Sequence, residues 1–283
     1  MKRSALDLAN ILGFLIVLAI AAFAFYSLFI DEPFYKASSY TDQEHAGEGE
    51  ESGTYNSNTA ITALEIGNVS GRIEVESWSG DTVQLDYIKR GPGRHPDVKI
   101  DKEGSELTIK AVYPRTAGNF GSVDFFLKVP ADIDNIEAGS VSGGIKIQGL
   151  SGTVKQKLSS TSGAVSTDSA GDLDISSVSG SLSFVSSGTN IKASTTSGRI
   201  EGELKEASSS TSVKISSVSG RLLLDVPSGL NAEVDLHSVS GSVSSDIPVA
   251  VTETRRNSIR GTIGSGGALI EMSTVSGAVK ITK

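Results

Sequence analysis

The chain has 283 residues, a formal net charge of −8 and no cysteine. The lack of cysteine excludes disulfides, thiolate metal sites and cysteine nucleophiles. The negative charge argues against a nucleic-acid-binding protein, which needs a basic face to neutralise phosphates.

The first feature in chain order is an apolar stretch without charges, from Ile11 to Ile30, which follows Lys2 and Arg3 and precedes Asp31 and Glu32. Twenty residues at a rise of about 1.5 Å span a hydrocarbon core of about 30 Å. The stretch predicts a transmembrane helix over residues 11–30. Because basic residues flank its N-terminal end, the positive-inside rule predicts a single-pass protein of the cytoplasmic (inner) membrane. Its tail, residues 1–10, is then cytoplasmic and the remainder extracytoplasmic.

A cleaved signal peptide is the alternative interpretation of this stretch. Ala22-Phe23-Ala24 resembles a cleavage site of the small-x-small type. However, apolar residues continue to Ile30, which is longer than the apolar region of a signal peptide. The uncleaved anchor is therefore the prediction.

Residues 31–60 contain seven acidic residues and one lysine and are rich in Ser, Gly and Asn. No apolar period in this segment can bury a core, so it is predicted to be a flexible acidic linker.

Residues 61–130 alternate apolar and polar residues in short runs separated by Gly, Pro, Asp or Asn. This period of two is typical of half-buried strands. No segment after residue 30 has a convincing period of 3.6, so the ectodomain is predicted to be all-β, with residues 61–130 as its N-terminal β-strand part. The predicted strands are Leu64–Ile66, Ile73–Val75, Val83–Tyr87, Val98–Ile100, Leu107–Ala111 and Val123–Val129.

Residues 131–283 repeat a five-residue unit in which an apolar residue or Thr precedes Ser-Gly and an aliphatic residue follows two positions after the glycine. A copy of this unit also occurs at Val69–Ile73. The main glycines are separated by 17 to 22 residues, a spacing of about 20 that is typical of solenoids. The prediction is a single-chain, parallel β-helix-like solenoid with two strands and two corners per turn. These glycines are Gly143, Gly163, Gly180, Gly198, Gly220 and Gly241.

The repeat also predicts the local geometry of each corner. Glycine accepts a positive φ, so corner glycines such as Gly180 are expected to adopt it. Ile145 and Ile147 lie two residues apart and should face the same core. The Ser and Thr residues beside the glycines should stack, and their hydroxyls should bond the turn backbone or one another.

The two ends of such a stack expose unpaired strand edges. Residues 61–130 are expected to cap one end. The other end is predicted to be Val275–Lys283, with Lys280 and Lys283 as charged gatekeepers. Self-association through the solenoid ends is the alternative.

Three aspartates are the main candidates for chemistry. Asp172 and Asp174 share one strand face and Asp168 lies nearby, and carboxylates on a β-helix can bind calcium or cleave polysaccharide. The acidic positions do not recur from turn to turn, so a solvated face is the expectation. The histidines are too far apart in the sequence to predict a metal site. No catalytic, cofactor-binding or metal-binding residue is therefore assigned.

Two basic segments remain, and either can contact anionic lipid or an envelope polymer. Solvated loops are the expectation for both. The segments consist of Lys89, Arg90, Arg94 and His95, and of Arg255, Arg256 and Arg260.

The run Val129–Ile133 that leads into Gly139–Gly143, the repeated S-V-S-G-x-[ILV], and the ending Gly264–Ile270 through Thr274–Gly277 resemble the putative adhesin domain family. The resemblance covers about residues 61–283. It implies a prokaryotic extracytoplasmic β-solenoid, a domain of unknown function often carried behind a membrane anchor, with no established catalytic residues. Many members have Asp after the motif glycine. This chain has Arg72, Ser181, Arg199, Arg221 and Ser242 there.

The combined prediction is a membrane-anchored, non-enzymatic adhesion, binding or scaffolding module of the cell envelope, without a cofactor. Its expected partners are the membrane and an envelope polymer or membrane protein, not nucleic acid. A rigid repeated surface suits multivalent contact. The alternatives are an accessory or sensor protein in envelope-stress signalling and a β-helix enzyme that cleaves polysaccharide.

Overall fold

The computed structural model describes residues 49–92, 94–113, 119–151, 153–168 and 171–283, all within the compact unit Ala46–Lys283. The predicted tail, the predicted transmembrane helix and most of the predicted linker lie outside these residues. Within them, no helix is long and apolar enough to cross a membrane. The described residues form 23 strands and no helix, so the all-β prediction is confirmed.

The strands are short, and most alternate buried and exposed residues as the sequence predicts. The six strands predicted between residues 61 and 130 are present as β2 to β7. In the first part of the chain the strands are β1 (Glu51–Asn56), β2 (Ala63–Asn68), β3 (Ile73–Trp78), β4 (Gln84–Arg90), β5 (Asp97–Glu103), β6 (Glu106–Val112) and β7 (Ser122–Pro130).

The central part contains ten strands, which are β8 (Asn135–Ser140), β9 (Ile145–Gln148), β10 (Lys155–Ser160), β11 (Val165–Asp168), β12 (Leu173–Ser177), β13 (Leu182–Ser186), β14 (Asn190–Ser197), β15 (Ile200–Leu204), β16 (Ser212–Ser219) and β17 (Leu222–Asp225). The last six are β18 (Ala232–Ser240), β19 (Val243–Ser245), β20 (Ala250–Arg255), β21 (Ser258–Ile263), β22 (Ala268–Ser276) and β23 (Val279–Thr282).

These strands form two sheets. The 11-stranded sheet has the order β1-β4-β7-β3-β9-β11-β13-β15-β17-β23-β19. The 12-stranded sheet has the order β20-β21-β18-β22-β16-β14-β12-β10-β8-β2-β6-β5. From β8 to β17 consecutive strands alternate between the sheets, and each pairs in parallel with the strand one turn away. Each turn therefore contains two strands and two corners, as the repeat spacing predicts.

The core lies between the two sheets and is built from rows of aliphatic side chains. Parallel register places Ile145, Val165, Leu182 and Ile200 on successive strands of one such row, and all four are buried. Phe184 is also buried at 1% exposure. Full burial of a side chain of this kind contributes about 1.5–3 kcal/mol, so the stack is stabilised turn by turn.

The order of turns at the C-terminal end differs from the sequence order. β22 pairs between β16 and β18, and β23 pairs between β17 and β19. The prediction that Val275–Lys283 ends the stack is wrong, because the β20–β21 hairpin lets the chain turn back and insert this repeat inside. Lys280 does not guard an edge, since its Nζ lies 2.6 Å from Oδ2 of Asp246 on the adjacent turn.

The N-terminal end also departs from a simple coil. β2 and β3 pair with β8 and β9, so residues 61–130 and 131–283 share both sheets. The predicted linker extends too far, because Glu51–Asn56 forms β1 and pairs antiparallel with β4. Linker-like composition did not reveal this strand because most of its side chains are exposed.

The predicted positive φ is present at some corner glycines, such as Gly71 with a φ of 104°, but others are required for a different reason. Gly180 does not have a positive φ. A Cβ atom at Gly180 would lie 1.9 Å from the carbonyl oxygen of Gly163 on the preceding turn, and one at Gly143 would lie 1.6 Å from that of Gly71. Glycine is needed here because the backbones of adjacent turns approach more closely than any side chain allows.

The serines directly before the corner glycines bond the turn backbone as predicted, since the hydroxyls of Ser142 and Ser162 donate to the carbonyl oxygens of Val69 and Val141. A separate ladder of seven hydroxyl groups and one amide lies three residues before the corner glycines, on the inside of the same corners. It occupies one register position in eight strands of the 12-stranded sheet. All of its members are buried. The ladder consists of Asn68, Ser140, Ser160, Ser177, Thr195, Ser217, Thr274 and Ser238.

Candidate binding face

The outer face of the 12-stranded sheet carries a row of charged side chains on nine of its strands, which we call the charged row. Parallel register places Lys157, Asp174 and Lys192 side by side on β10, β12 and β14. Neighbouring strands are about 4.8 Å apart, so the charges repeat at that distance. The row consists of Glu65, Glu137, Lys157, Asp174, Lys192, Lys214, Glu271, Asp235 and Arg260.

Ion pairs between neighbours connect the charged row. Nζ of Lys157 lies 2.6 Å from Oε1 of Glu137, and Nζ of Lys214 lies 3.6 Å from Oε2 of Glu271. Desolvation raises the pKa of Asp174, opposed by the attraction of Lys192 and then of Lys157. Five carboxylates and four cationic side chains give the row a net charge of −1, so it is close to neutral while it presents both kinds of group.

A second row of small polar side chains lies two residues further along the same strands, and we call it the serine row. Its members lie on the outer side of the sheet, and all except the buried Ser216 are partly or fully exposed. The serine row consists of Ser159, Ser176, Ser194, Ser216 and Ser273. Together the two rows make a flat, repetitive polar surface, which we call the ladder face.

The charged row could have been found in the sequence. The segments LDIS, IKAS and VKIS begin at Leu173, Ile191 and Val213, within β12, β14 and β16. In each segment the charged residue lies between two inward-facing residues. The recurrence was missed because the sign of the charge changes between copies and only the Ser-Gly element is constant.

The three candidate aspartates are not brought together. Asp168 lies on β11, in the opposite sheet, and its Oδ1 accepts a hydrogen bond of 2.9 Å from the backbone N–H of Gly149. Asp172 accepts hydrogen bonds from the backbone and side-chain N–H groups of Asn190 and from the Thr189 hydroxyl. Among the described residues, no group of three or more acidic or histidine side chains could hold a metal ion.

The pKa of Asp172 reflects this structural role. Desolvation is the largest single influence and raises it. The hydrogen bonds from Asn190 and Thr189 and the attraction of Lys155 outweigh that effect, so the net pKa is lowered. The carboxylate joins the starts of β12 and β14 rather than serving as a free acid or base.

Most of the first basic segment lies against acidic residues. Arg90 contacts Oε1 of Glu50 at 2.5 Å and Oδ2 of Asp124 at 2.7 Å, and these contacts raise its pKa. Lys89 lies 3.0 Å from Glu51, whose pKa is lowered chiefly by this hydrogen bond. Carboxylates therefore compensate the charges of Lys89 and Arg90, whereas Arg94 is exposed to solvent.

The second basic segment belongs to the β20–β21 hairpin and is also largely paired. Arg260 contacts Asp235, and the Arg255 guanidinium lies 2.5 Å from Glu253. His237 lies on β18, far from His95 in the sheet order. His45 lies outside the described residues.

The chain shows family membership over most of its length. No curated protein matches it. Similar solved structures include a putative cell adhesion protein from Clostridium sporogenes, with 14% identity, a TM-score of 0.39 and coverage of 83% of this chain and 98% of that chain. A putative adhesin from Bacteroides fragilis has 11% identity, a TM-score of 0.41 and the same coverage. A putative lipid binding protein from Parabacteroides distasonis has 12% identity, a TM-score of 0.33 and coverage of 82% and 97%.

A family model described as Toastrack DUF4097 matches residues 58–282, which include every strand from β2 to β23. The resemblance to the putative adhesin domain family, inferred from the repeat, is confirmed by this match. The chain belongs to the Toastrack DUF4097 family.

Proposed function

We propose that the protein is a non-enzymatic binding module of the cell envelope, anchored by the N-terminal apolar helix and displaying its β-sheets outside the cytoplasmic membrane. The observation that supports this function is the ladder face, on which charged and hydroxyl groups repeat from strand to strand. The proposed partner is an envelope polymer that carries carboxylate, amine and hydroxyl groups at regular intervals.

The energetics of the ladder face favour a polymer over a small molecule. Each exposed ion pair contributes only about 0–1 kcal/mol, so the polar groups of a single strand of the ladder face cannot hold a ligand. A repetitive ligand that contacts several strands at once gains avidity, because each further contact is intramolecular. A rigid sheet favours this multivalent binding, since the polar groups on its strands keep their spacing when the ligand binds.

Binding of the full chain in non-ionic detergent to insoluble cell-wall glycan tests the proposal by co-sedimentation. We expect a variant with Lys157→Ala, Lys192→Ala and Lys214→Ala to bind about tenfold more weakly than the unmodified chain, since three of four successive strands lose their ammonium groups.

The matched control removes the same number of lysines away from the ladder face and should retain binding. It combines Lys128→Ala and Lys146→Ala on the 11-stranded sheet with Lys205→Ala directly after β15. If the unmodified chain fails to sediment with the glycan, or if both triple variants lose binding equally, a polymer site on the ladder face is wrong. Retention of an N-terminally tagged chain in carbonate-washed membranes tests the anchor separately.

A further inference from the structure

β20 is an end strand of the 12-stranded sheet, and within the described part of the chain it pairs only with β21. All six of its residues are exposed. An end strand of this kind offers a row of backbone donors and acceptors to a further strand.

The hairpin geometry identifies the backbone N–H and C=O groups of β20 that can bind a further strand. Arg255 pairs with Ser258 across the two-residue turn that joins β20 to β21, and Thr254 pairs with Ile259. Hydrogen-bonded and non-hydrogen-bonded pairs alternate along an antiparallel ladder, and the pair that closes a two-residue turn is hydrogen-bonded. The backbone N–H and C=O of Thr254 therefore point away from β21, toward the free edge.

The charges around Thr254 are self-complementary. Glu253 and Arg255 lie two residues apart on the outer side of the strand, and in one chain they pair with each other at 2.5 Å. If a second β20 aligns antiparallel with Thr254 opposite Thr254, each Glu253 faces the Arg255 of the other chain. One pairing thus forms two symmetric ion pairs and exchanges the two backbone hydrogen bonds of Thr254.

The inner side of the same edge is apolar and incompletely covered. Val251 is 48% exposed, although its strand partner Gly261 is buried. Val249 and Ile259 are only partly buried against the core. A second strand at this edge shields these side chains from water, which favours pairing through the hydrophobic effect.

The other end strand of this sheet, β5, shares only part of this pattern, because self-pairing about Ile100 would place Lys99 opposite Asp101 but also bring like charges together. The corresponding self-pairing of β5 about Ile100 places Asp97 opposite Glu103, which are like charges on one face. Lys102 points toward the core side, since it pairs with the buried Leu107. Like charges in register and inward-pointing charges are features that protect sheet edges from pairing.

From these observations we infer that two copies of this chain associate through β20, antiparallel and centred on Thr254, so that their 12-stranded sheets join into one. This association depends on the β20 edge alone and not on the proposed polymer binding or on the anchor.

Crosslinking of the full chain in non-ionic detergent tests the association directly. Because the chain has no cysteine, Thr254→Cys introduces a single thiol, and the facing Cα atoms in such a pair lie about 5.5 Å apart, within disulfide range. Mild oxidation should convert most of this variant into a disulfide-linked dimer. Ser183→Cys, which is exposed in the middle of the 11-stranded sheet, is the control and should remain monomeric.

Charge reversal tests the register. Within the Thr254→Cys chain, Glu253→Arg places arginine opposite Arg255 and should reduce the crosslinked fraction about tenfold. Adding Arg255→Glu exchanges the two charges and should restore crosslinking.

Crosslinking of Thr254→Cys no faster than that of Ser183→Cys overturns the proposal, as does failure of the double charge exchange to restore it. Sedimentation velocity of the unmodified chain must show dimers that Glu253→Arg converts to monomers. A monomer at every concentration, or an oligomer unaffected by Glu253→Arg, as expected for an association through other edges, also overturns it.

Discussion

The same Ser-Gly repeat builds two kinds of corner in the two halves of the stack. In the turns that begin with β8, β10 and β12, the strand ends at the ladder serine, and the serine Oγ accepts a 2.8 Å hydrogen bond from the glycine N–H three residues later. These pairs are Ser140 with Gly143, Ser160 with Gly163, and Ser177 with Gly180.

In the turns that begin with β14, β16 and β22, the strand continues for two further residues. The N–H of Gly198 donates to the carbonyl of Ser219 on the next turn, and that of Gly220 donates to Ser276. The ladder hydroxyls of Thr195, Ser217 and Thr274 are buried without a hydrogen-bond partner.

The difference shows that one sequence motif has two ways to satisfy a corner glycine. A closed corner uses the side chain of its own strand, whereas an open corner uses the backbone of the neighbouring turn. In the open corners the extra backbone pairing is gained while a buried hydroxyl is left unsatisfied, and such a hydroxyl costs about 1–3 kcal/mol. The two halves of the stack should therefore respond differently to substitutions in the hydroxyl ladder and alike to substitutions of the glycines.

The largest expected effect concerns the glycines, which both corner types need. Gly143→Ala in a closed corner and Gly220→Ala in an open corner place Cβ 1.6 Å and 1.8 Å from a backbone carbonyl oxygen. Each should lower the free energy of unfolding by about 3 kcal/mol or more, since a backbone cannot move aside as a side chain can. Urea unfolding of the full chain, followed by circular dichroism, measures the loss.

The adjacent Gly144 provides the matched control for this substitution. Its nearest neighbour for a Cβ is the carbonyl oxygen of Ala164 at 3.5 Å, an ordinary contact. Gly144→Ala should change stability by no more than about 0.5 kcal/mol. Equal losses at Gly143 and Gly144 would contradict the close backbone approach as the reason for the glycine.

A smaller effect separates the two corner types. Ser177→Ala leaves the buried N–H of Gly180 without its acceptor and should cost about 1–3 kcal/mol. Ser217→Ala removes a hydroxyl that has no partner and should cost little or increase stability. The same substitution at equivalent ladder positions thus gives different losses, measurable by urea unfolding. Equal losses at both positions would show that the open corner is also bonded through its hydroxyl.

The smallest effect lies at the junction between the two halves, where Asp172 joins β12 to β14. Its folded-state pKa is lowered, so it stabilises the protein above an unfolded-state pKa of about 3.9. That contribution is lost as the pH falls through the folded-state value. Asp172→Asn should reduce the difference in unfolding free energy between pH 7 and pH 3 by about 0.5 kcal/mol, a modest value because the site is partly solvated.

Asp101→Asn, at an exposed carboxylate on β5, is the control for this measurement and should keep the pH difference of the unmodified chain. A pH difference in Asp172→Asn equal to that of the unmodified chain would show that the hydrogen bonds from Asn190 and Thr189 contribute nothing to acid stability.

Local features of this fold were predictable from the sequence, and the order of its turns was not. Alternating residues such as Ile145 and Ile147 identify strands because burial on one face leaves a period of two. The repeat at Val275–Val279 identifies a turn of the stack, but any turn can pair with any other because all have the same pattern. This repeat lies within the stack, and not at its end, only because the chain returns after the β20–β21 hairpin.

The candidate site was only partly predictable for a related reason. The Ser-Gly element is nearly constant, so it draws attention to corners, whereas the charged row changes sign from Lys157 to Asp174 to Lys192 and has no constant letter. Its members are recognised as neighbours only when the register is known. The reason for glycine at position 180 was also not visible in the sequence, since the backbone carbonyl that excludes a side chain there belongs to Gly163, a full turn away.

The internal position of β22 and β23 has a consequence for the synthesis of the protein. These strands follow β18 to β21 in the chain, yet they pair between β16–β17 and β18–β19. A chain that emerges from the ribosome or a translocation channel N-terminus first can stack its turns one after another up to β17. β18 to β21 then cannot take their final place in the stack until β22 and β23 have emerged. Non-local pairing of this kind is slow, so the last turn to emerge is the step that completes the fold.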